Sequence, residues 1–341
     1  MKKIVSILTA CAVVAAATAA EATERWRVQL VVSETLPAVG KWFTDWAESV
    51  NSTGVDLQVK LFEPGEIVPP LSIFDAVRDG KVPAGVAILN FSSGSMPAGQ
   101  LLTGAPFGLN SVEYASWYYS GEGEKLTQEL LEKNGVHGML CLLTGPETGG
   151  WFRQPIESAD QLKGLKFRTA GLGAAAYEKA GASVSTLPNS EIFPALEKGV
   201  IDAAEASTPV VDEILGFYKV APYAYLPGWH QPMAGLHLLV NLDAWNALSK
   251  PQQTVLETAC EATTLKSYVG IEAAQADAVA SLEAKGAIFN TFPPDILETF
   301  HAAADAVIEE QAAKDEDFKR ILESMRAHKA KLAAWSGQNK F

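Results

Sequence analysis

The sequence predicts an α/β protein of two lobes, each a β-sheet flanked by helices, with a ligand cleft between the lobes and long helices at the C-terminus. Three observations lead there. The chain has 341 residues, 48% of them hydrophobic, which exceeds one small domain and suits about two packed cores. Short apolar strands alternate with segments of helical period, the signature of sheets covered by helices. That alternation also resets once, near residue 145.

Lys2 and Lys3, an apolar run from Ile4 to Val14 and the small residues Ala15 to Ala20 open the chain. With Ala17-Thr18-Ala19 as an A-x-A site, residues 1–20 read as a signal peptide cleaved near residues 19–22, so the mature protein is expected in the periplasm. The run is too short for the roughly 20 residues of a spanning helix. Leu8-Thr9-Ala10-Cys11 has the look of a lipobox, but cleavage there would cut the apolar segment in its middle.

Arg27 to Val32 is apolar-rich and reads as a strand; Leu36, Val39, Phe43, Trp46 and Val50 then recur at helical spacing. Val55, Leu57, Val59 and Leu61 alternate as a half-buried strand does, followed by a helical pattern at Leu71 to Val77 and a buried strand at Val86 to Leu89. After a helix at Glu124 to Lys133 and a strand at Val136 to Leu143, the turn formers Thr144 to Gly150 mark a crossover. The second series is strand Leu165 to Arg168, helix Ala174 to Ala180, strand Ser183 to Leu187, helix Ile192 to Lys198 and strand Ile201 to Ala204. Leu236 to Asn241 is a further strand, Pro251 to Glu283 is helical, Ala287 to Phe292 is a strand, and Pro294 to Trp335 is helical and densely charged. The expected division is lobe 1 from residues 26–145 plus about 236–285, lobe 2 from 146–235 plus about 286–293, and a helical segment, 294–341, packing across the lobes or against a second subunit.

A net charge of −13 argues against nucleic acid as a partner. It allows a small anion, since one well-placed Arg acts within a Debye length of about 10 Å. Patterns for a nucleophile elbow, a P-loop, a zincin or a redox C-x-x-C are all absent. Cys141 and Cys260 lie in apolar settings and read as buried, unpaired thiols. Gly171-Leu172-Gly173-Ala174-Ala175-Ala176 matches G-x-G-x-x-A, but mid-chain and in an exported protein it reads as a tight strand-to-helix turn. His237 falls inside an apolar strand and reads as a core histidine. His230, in Trp229-His230-Gln231 after Pro227-Gly228, reads first as a polar loop residue, with ligand contact the sharper alternative. Arg168 ends an apolar strand at the edge where α/β ligands bind; a carboxylate anchor and an internal salt bridge are equally open for it.

Five blocks in order resemble the solute-binding proteins of TRAP transporters, most of all the branch that binds 2-oxo acids and related monocarboxylates. They are Gly149 to Arg153, Leu162 to Arg168, Ile192 to Glu205, Leu215 to Tyr223, and Pro227-Gly228-Trp229. The resemblance implies a two-lobed periplasmic binding protein fold that closes over an organic acid and delivers it to membrane subunits, without catalysis. It places the carboxylate-holding Arg at Arg168. It also implies a Na⁺ or Ca²⁺ bridging ligand and protein at positions held here by Glu147, Glu205-Ala206 and Gln231. Where the family pattern has Gln, Glu-Trp and Glu, this chain has moved a carboxylate from 231 to 147 and replaced Trp by Ala206. Two readings stay open: a cation held by Glu147, Glu205, Gln231 and the Ala206 carbonyl, or Glu147 paired with Arg168 or a ligand hydroxyl and no metal. Asn90 and Phe91 are expected as first-lobe contacts, with Phe91 or Trp229 refilling the volume left at 206. The loop Ser33-Glu34-Thr35 is a second candidate, and Asn189 reads as a helix cap. A homodimer through the C-terminal helix fits the charged tail. The rival from another class is an exported α/β hydrolase or lyase using Glu147 and Glu205 as acid and base.

Overall fold

The computed structural model describes residues 24–336 other than Pro37, so the predicted signal peptide lies outside the described residues. The first stretch runs β1 (Glu24–Gln29), α1 (Gly40–Ser52), β2 (Leu57–Phe62), α2 (Ile73–Arg78), β3 (Ala84–Ala87), α3 (Gly99–Thr103), α4 (Ser111–Ser120), α5 (Gly123–Lys133) and β4 (Val136–Leu143). The second runs β5 (Gly150–Phe152), β6 (Lys166–Arg168), α6 (Gly171–Lys179), β7 (Ser183–Ser185), α7 (Asn189–Glu197), β8 (Ala203–Ala204), α8 (Pro209–Leu215) and β9 (Tyr223–Leu226). The chain then returns through β10 (Gly235–Asn241), α9 (Leu242–Ala247), α10 (Lys250–Ala284), β11 (Ile288–Thr291), α11 (Pro294–Ala312) and α12 (Glu316–Ser336).

Two sheets result, ordered β2-β1-β3-β10-β4 and β11-β9-β5-β8-β6-β7. Within the first, β1 pairs in parallel with β2 and β3, whereas β10 is antiparallel to both β3 and β4. In the second, β5 is antiparallel to β8 and β9, and the other pairs are parallel. The sheets are therefore mixed, because β10 and β5 are the strands by which the chain enters each sheet from the other rather than through a covering helix.

Local patterns explain the elements. Phe43, Trp46, Ala47 and Val50 of α1 are buried, the one-face spacing of a helix on a sheet. In β2, buried Leu57 and Val59 alternate with exposed Gln58 and Lys60. Every residue of β4 is buried, since α10 and α5 cover this edge strand. Helix α10 reaches both cores: Leu256, Ala259 and Ile271 pack with the first sheet, and Leu282 with the second. The tail is likewise shared, with Ile296 and Phe300 of α11 in the second sheet's aromatic core and Phe318, Ile321 and Leu322 of α12 in the first. No described helix is long and apolar enough to cross a membrane.

The cysteine expectation is corrected. Cys141 of β4 and Cys260 of α10 form a disulfide, both side chains fully buried where the helix lies on the strand. Apolar surroundings told of burial and said nothing of the 119-residue separation being closed by packing.

Candidate functional site

Two crossovers, 144–149 between β4 and β5 and 227–234 between β9 and β10, run side by side. Thr144 N donates to Ala234 O at 3.0 Å and Glu147 N to Gln231 O at 3.3 Å. Gly228 permits this contact, because a Cβ there would collide with the Glu147 carbonyl. The pairing brings Glu147, His230 and Gln231 together from positions some 80 residues apart, at the junction of the sheets. Beneath it, Thr148 Oγ1 and Trp151 Nε1 each donate to Asp212 at 2.7 Å, tying the first crossover to α8. Burial drives that carboxyl well above its ordinary range.

The second sheet brings Arg168 and Glu205 to the same place. Arg168 ends β6 with only 2% of its surface exposed. Nε and Nη2 donate to Leu187 O at 3.0 and 2.7 Å, and Nη1 donates to Glu205 O at 2.7 Å. The remaining contacts are longer: Nη1 to Glu205 Oε1 at 3.4 Å and Nη2 to Asn189 Oδ1 at 3.2 Å. Three good bonds to main-chain carbonyls thus fix the guanidinium plane, while its two terminal nitrogens keep one loosely engaged N–H each. A carboxylate can take that pair bidentately.

His230 is the residue that sequence reasoning undervalued. Fully buried, its Nε2 lies 3.3 Å from Glu147 Oε2 and 3.4 Å from Glu205 Oε2. Burial opposes its charge, but hydrogen bonds to both glutamates outweigh that and lift its pKa to about 9. Burial pushes Glu147 up to about 7. Glu205 goes the other way, to about 2, because the His230 hydrogen bond and the Arg168 charge overcome its burial.

These groups form one hydrogen-bonded arc. Asn90 Nδ2 reaches Gln231 Oε1 at 3.5 Å, Gln231 Nε2 donates to Glu147 Oε1 at 3.1 Å, and the arc continues through His230 and Glu205 to Arg168 and Asn189. It borders a cavity of about 60 Å³ lined by Asn90, Phe91, Glu147, Arg168, Asn189, Glu205, Ala206 and Gln231, together with the apolar Val32, Leu36 and Ile88. Asn90 Oδ1 is buried without a partner there.

Most residues singled out in the sequence meet at this cavity; three expectations change. Trp229 is absent from its lining and stacks on Phe300, with Phe107 and Tyr177 alongside, in the second sheet's core. Asn189 is the first residue of α7 rather than its cap, and its side chain serves Arg168. Glu147 pairs with His230 and Gln231, while Arg168 takes Glu205. Of the Ser33-Glu34-Thr35 loop, only Ser33 lines a neighbouring chamber. Gly171, with φ +63°, opens α6 against the first sheet's Asn90, whose side chain would be 2.6 Å from any Cβ placed there.

One potential ligand atom each from Glu147, Glu205 and the buried His230 lies within 4.8 Å of the others. Together with Gln231 and the main-chain carbonyl of residue 206, the set is rich in the oxygens that hard cations take. Glu147, Glu205, Gln231 and that carbonyl would hold such an ion.

The family model for bacterial extracellular solute-binding protein, family 7, matches residues 30–315. A protein of Nostoc sp. named as a monocarboxylate 2-oxoacid-binding periplasmic protein is 37% identical over 278 residues, 82% of this chain and 76% of that one. A TRAP transporter solute-binding protein of Bordetella bronchiseptica, a mixed-occupancy dimer with calcium and picolinate in one active site, superposes with a TM-score of 0.90 at 32% identity, covering 93% of this chain and 95% of that chain. A TRAP periplasmic solute-binding protein of Pseudoalteromonas atlantica with bound sodium and pyruvate gives 0.89 at 29% identity, covering 93% and 97%. A fold shared over nearly the whole length, with a buried arginine and an oxygen-rich cluster at the junction of its two sheets, places this chain in the DctP family, the bacterial extracellular solute-binding proteins of family 7.

Proposed function

We propose that this chain is the extracytoplasmic receptor of a TRAP transporter, binding a 2-oxo acid or a related monocarboxylate between its two sheets and handing it to membrane subunits. The observation that carries this reading is Arg168: a buried guanidinium fixed by main-chain carbonyls, on the wall of a cavity that Glu147, Glu205 and Gln231 also line. Such an arginine suits a carboxylate and offers nothing to a neutral solute that a neutral donor would not do with less desolvation. The names of the Nostoc relative and of the sodium–pyruvate structure favour the same class. Closure brings together lobe 1, residues 26–145 with about 236–285, and lobe 2, residues 146–235 with about 286–293, following removal of residues 1–20 in the periplasm.

Charge counting supports a bridging cation. With Arg168 and His230 positive and Glu205 negative, a carboxylate ligand and an ionised Glu147 leave the buried site one negative charge in excess. A Na⁺ or Ca²⁺ supplies countercharge to the ligand carboxylate there; a proton on Glu147 is the metal-free means of neutralising the same excess. Calorimetric titration with pyruvate in sodium-free, chelator-treated buffer separates them: affinity independent of cation removes the metal. Saturable binding by the wild type, lost at least 100-fold in Arg168→Ala, supports the receptor reading, and undiminished binding by that variant removes the anchor.

The wide split between Glu147 and Glu205 is also what an acid–base pair would show. Product formation from the bound acid, followed by mass spectrometry, would overturn the receptor reading in favour of an enzyme. Sedimentation of the full-length chain with and without α12 tests a homodimer through the C-terminal helix.

A further inference from the structure

Residues 104–109, between α3 and α4, lie outside the lining of the ligand cavity yet press on the second crossover. A Cβ on Gly104 would fall 2.3 Å from the Met233 carbonyl oxygen. Phe107 N donates to Trp229 O at 2.8 Å. The Phe107 ring stacks on Trp229 with centroids 5.5 Å apart, and the Trp229 ring meets the His230 imidazole edge-on at 5.8 Å. One chain of contacts thus runs from Phe107 to the buried histidine between Glu147 and Glu205.

Phe107 holds its place against its own backbone preference. Ala105-Pro106-Phe107-Gly108 is a turn closed by Gly108 N donating to Ala105 O at 2.9 Å, with Pro in second position and a φ of +52° at the third. A positive φ at that position belongs to a type II turn and calls for Gly or Asn. Among the described residues other than glycine, Phe107 alone has a positive φ, although a glycine stands one place further on. In a bulky residue such a conformation persists only where the surroundings impose it.

The two C-terminal helices impose it. His301 of α11 lies against the Phe107 ring with centroids 4.5 Å apart. Lys329 of α12 donates through Nζ to Phe107 O at 2.9 Å and to Gly108 O at 2.5 Å. Packing leaves the turn one open flank, because it borders a cavity of about 200 Å³ shared with Met233, Ile308 and Met325. The ammonium bonds close what packing does not.

We infer that Phe107 and Lys329 are positioning residues for the ligand site: Lys329 holds the strained turn, the turn holds Trp229 and His230, and α12 thereby sets how tightly an acid is bound. Neither residue lines the ligand cavity. This rests on the receptor reading above and extends it to the tail of the chain.

Calorimetric titration with pyruvate and amide hydrogen exchange of the unliganded protein test it together. Lys329→Met and Phe107→Gly should each weaken pyruvate binding about tenfold and speed exchange at residues 229–234 about tenfold. Lys329→Arg keeps donors for both carbonyls and should bind within about twofold of the wild type. In a double-mutant cycle, adding Phe107→Gly to His230→Gln should cost nothing further, because the phenylalanine acts through that histidine. Unchanged pyruvate affinity in Lys329→Met or Phe107→Gly, or losses that multiply with His230→Gln, overturns the inference and leaves the receptor reading intact. A wild type that binds no 2-oxo acid overturns the receptor reading, and exchange at 229–234 then still decides whether the turn braces the crossover.

Discussion

Opening the disulfide between Cys141 and Cys260 should destabilise the protein by about 5 kcal/mol. The bond joins β4 to α10 across 119 residues, and closing a loop of that length removes roughly this much conformational entropy from the unfolded chain. The loop contains β5 to β10, so the unfolded ensemble gains freedom over most of the second sheet when the bond opens. Against a typical total of about 5–15 kcal/mol, the effect is large. Urea unfolding followed by circular dichroism, with and without thiol reductant, isolates the cross-link because both sulfurs stay in place. With a slope of about 2–3 kcal/mol per molar, the midpoint should fall by roughly 2 M in reductant, and the slope should rise as the unfolded chain expands. The Cys141→Ala/Cys260→Ala protein should follow the reduced curve, lowered further by the lost side-chain volume. Coincident curves with and without reductant, or two reactive thiols in denatured protein never exposed to reductant, would refute the reasoning.

Burial holds His237 neutral, with its pKa down to about 4, so between pH 6.5 and 4 the unfolded chain binds a proton that the folded chain does not. Stability should therefore fall with acidification by about 3 kcal/mol across that window, and His237→Leu should abolish this component in pH-dependent unfolding. The bridge at His230 has the opposite sign: its pKa of about 9 makes its contribution full below pH 6.5 and lost as pH rises through 9. Melting temperatures of the wild type and His230→Gln should accordingly converge between pH 6.5 and 9.5. Gly171→Ala forces a left-handed backbone onto alanine and a Cβ onto Asn90, so stability should drop by about 1–2 kcal/mol and ligand affinity about tenfold by titration.

Local pattern carried much of this architecture. The spacing of Phe43, Trp46 and Val50 and the alternation from Leu57 to Val59 report a periodicity that burial imposes on neighbouring residues, and Arg168 at a strand end needs only the strand to be placed. What periodicity cannot carry is pairing over distance. Strands β5 and β9, of three and four residues, are too short to show a period, and β10 enters the first sheet antiparallel. His230 looks like any polar loop residue until the two crossovers place Glu147 beside it and β8 delivers Glu205. Trp229 shows the converse: its neighbours Gly228 and His230 sit at the site, but its ring turns toward Phe300 of α11, an element 70 residues on. The cysteines failed for the same reason, since the contact of β4 with α10 exists only once both are folded.

The position of β10 also governs the order in which the molecule can be completed. It lies between β3 and β4, yet follows the whole of β5 to β9 in the chain, so those earlier strands share no ladder until residues 235–241 arrive. The second sheet waits likewise for β11 at its edge. A chain emerging from its N-terminus therefore cannot finish either sheet until more than two thirds of it is available, and its most non-local pairings form last. Both walls of the binding cavity therefore rest on sheets that only the last third of the chain completes.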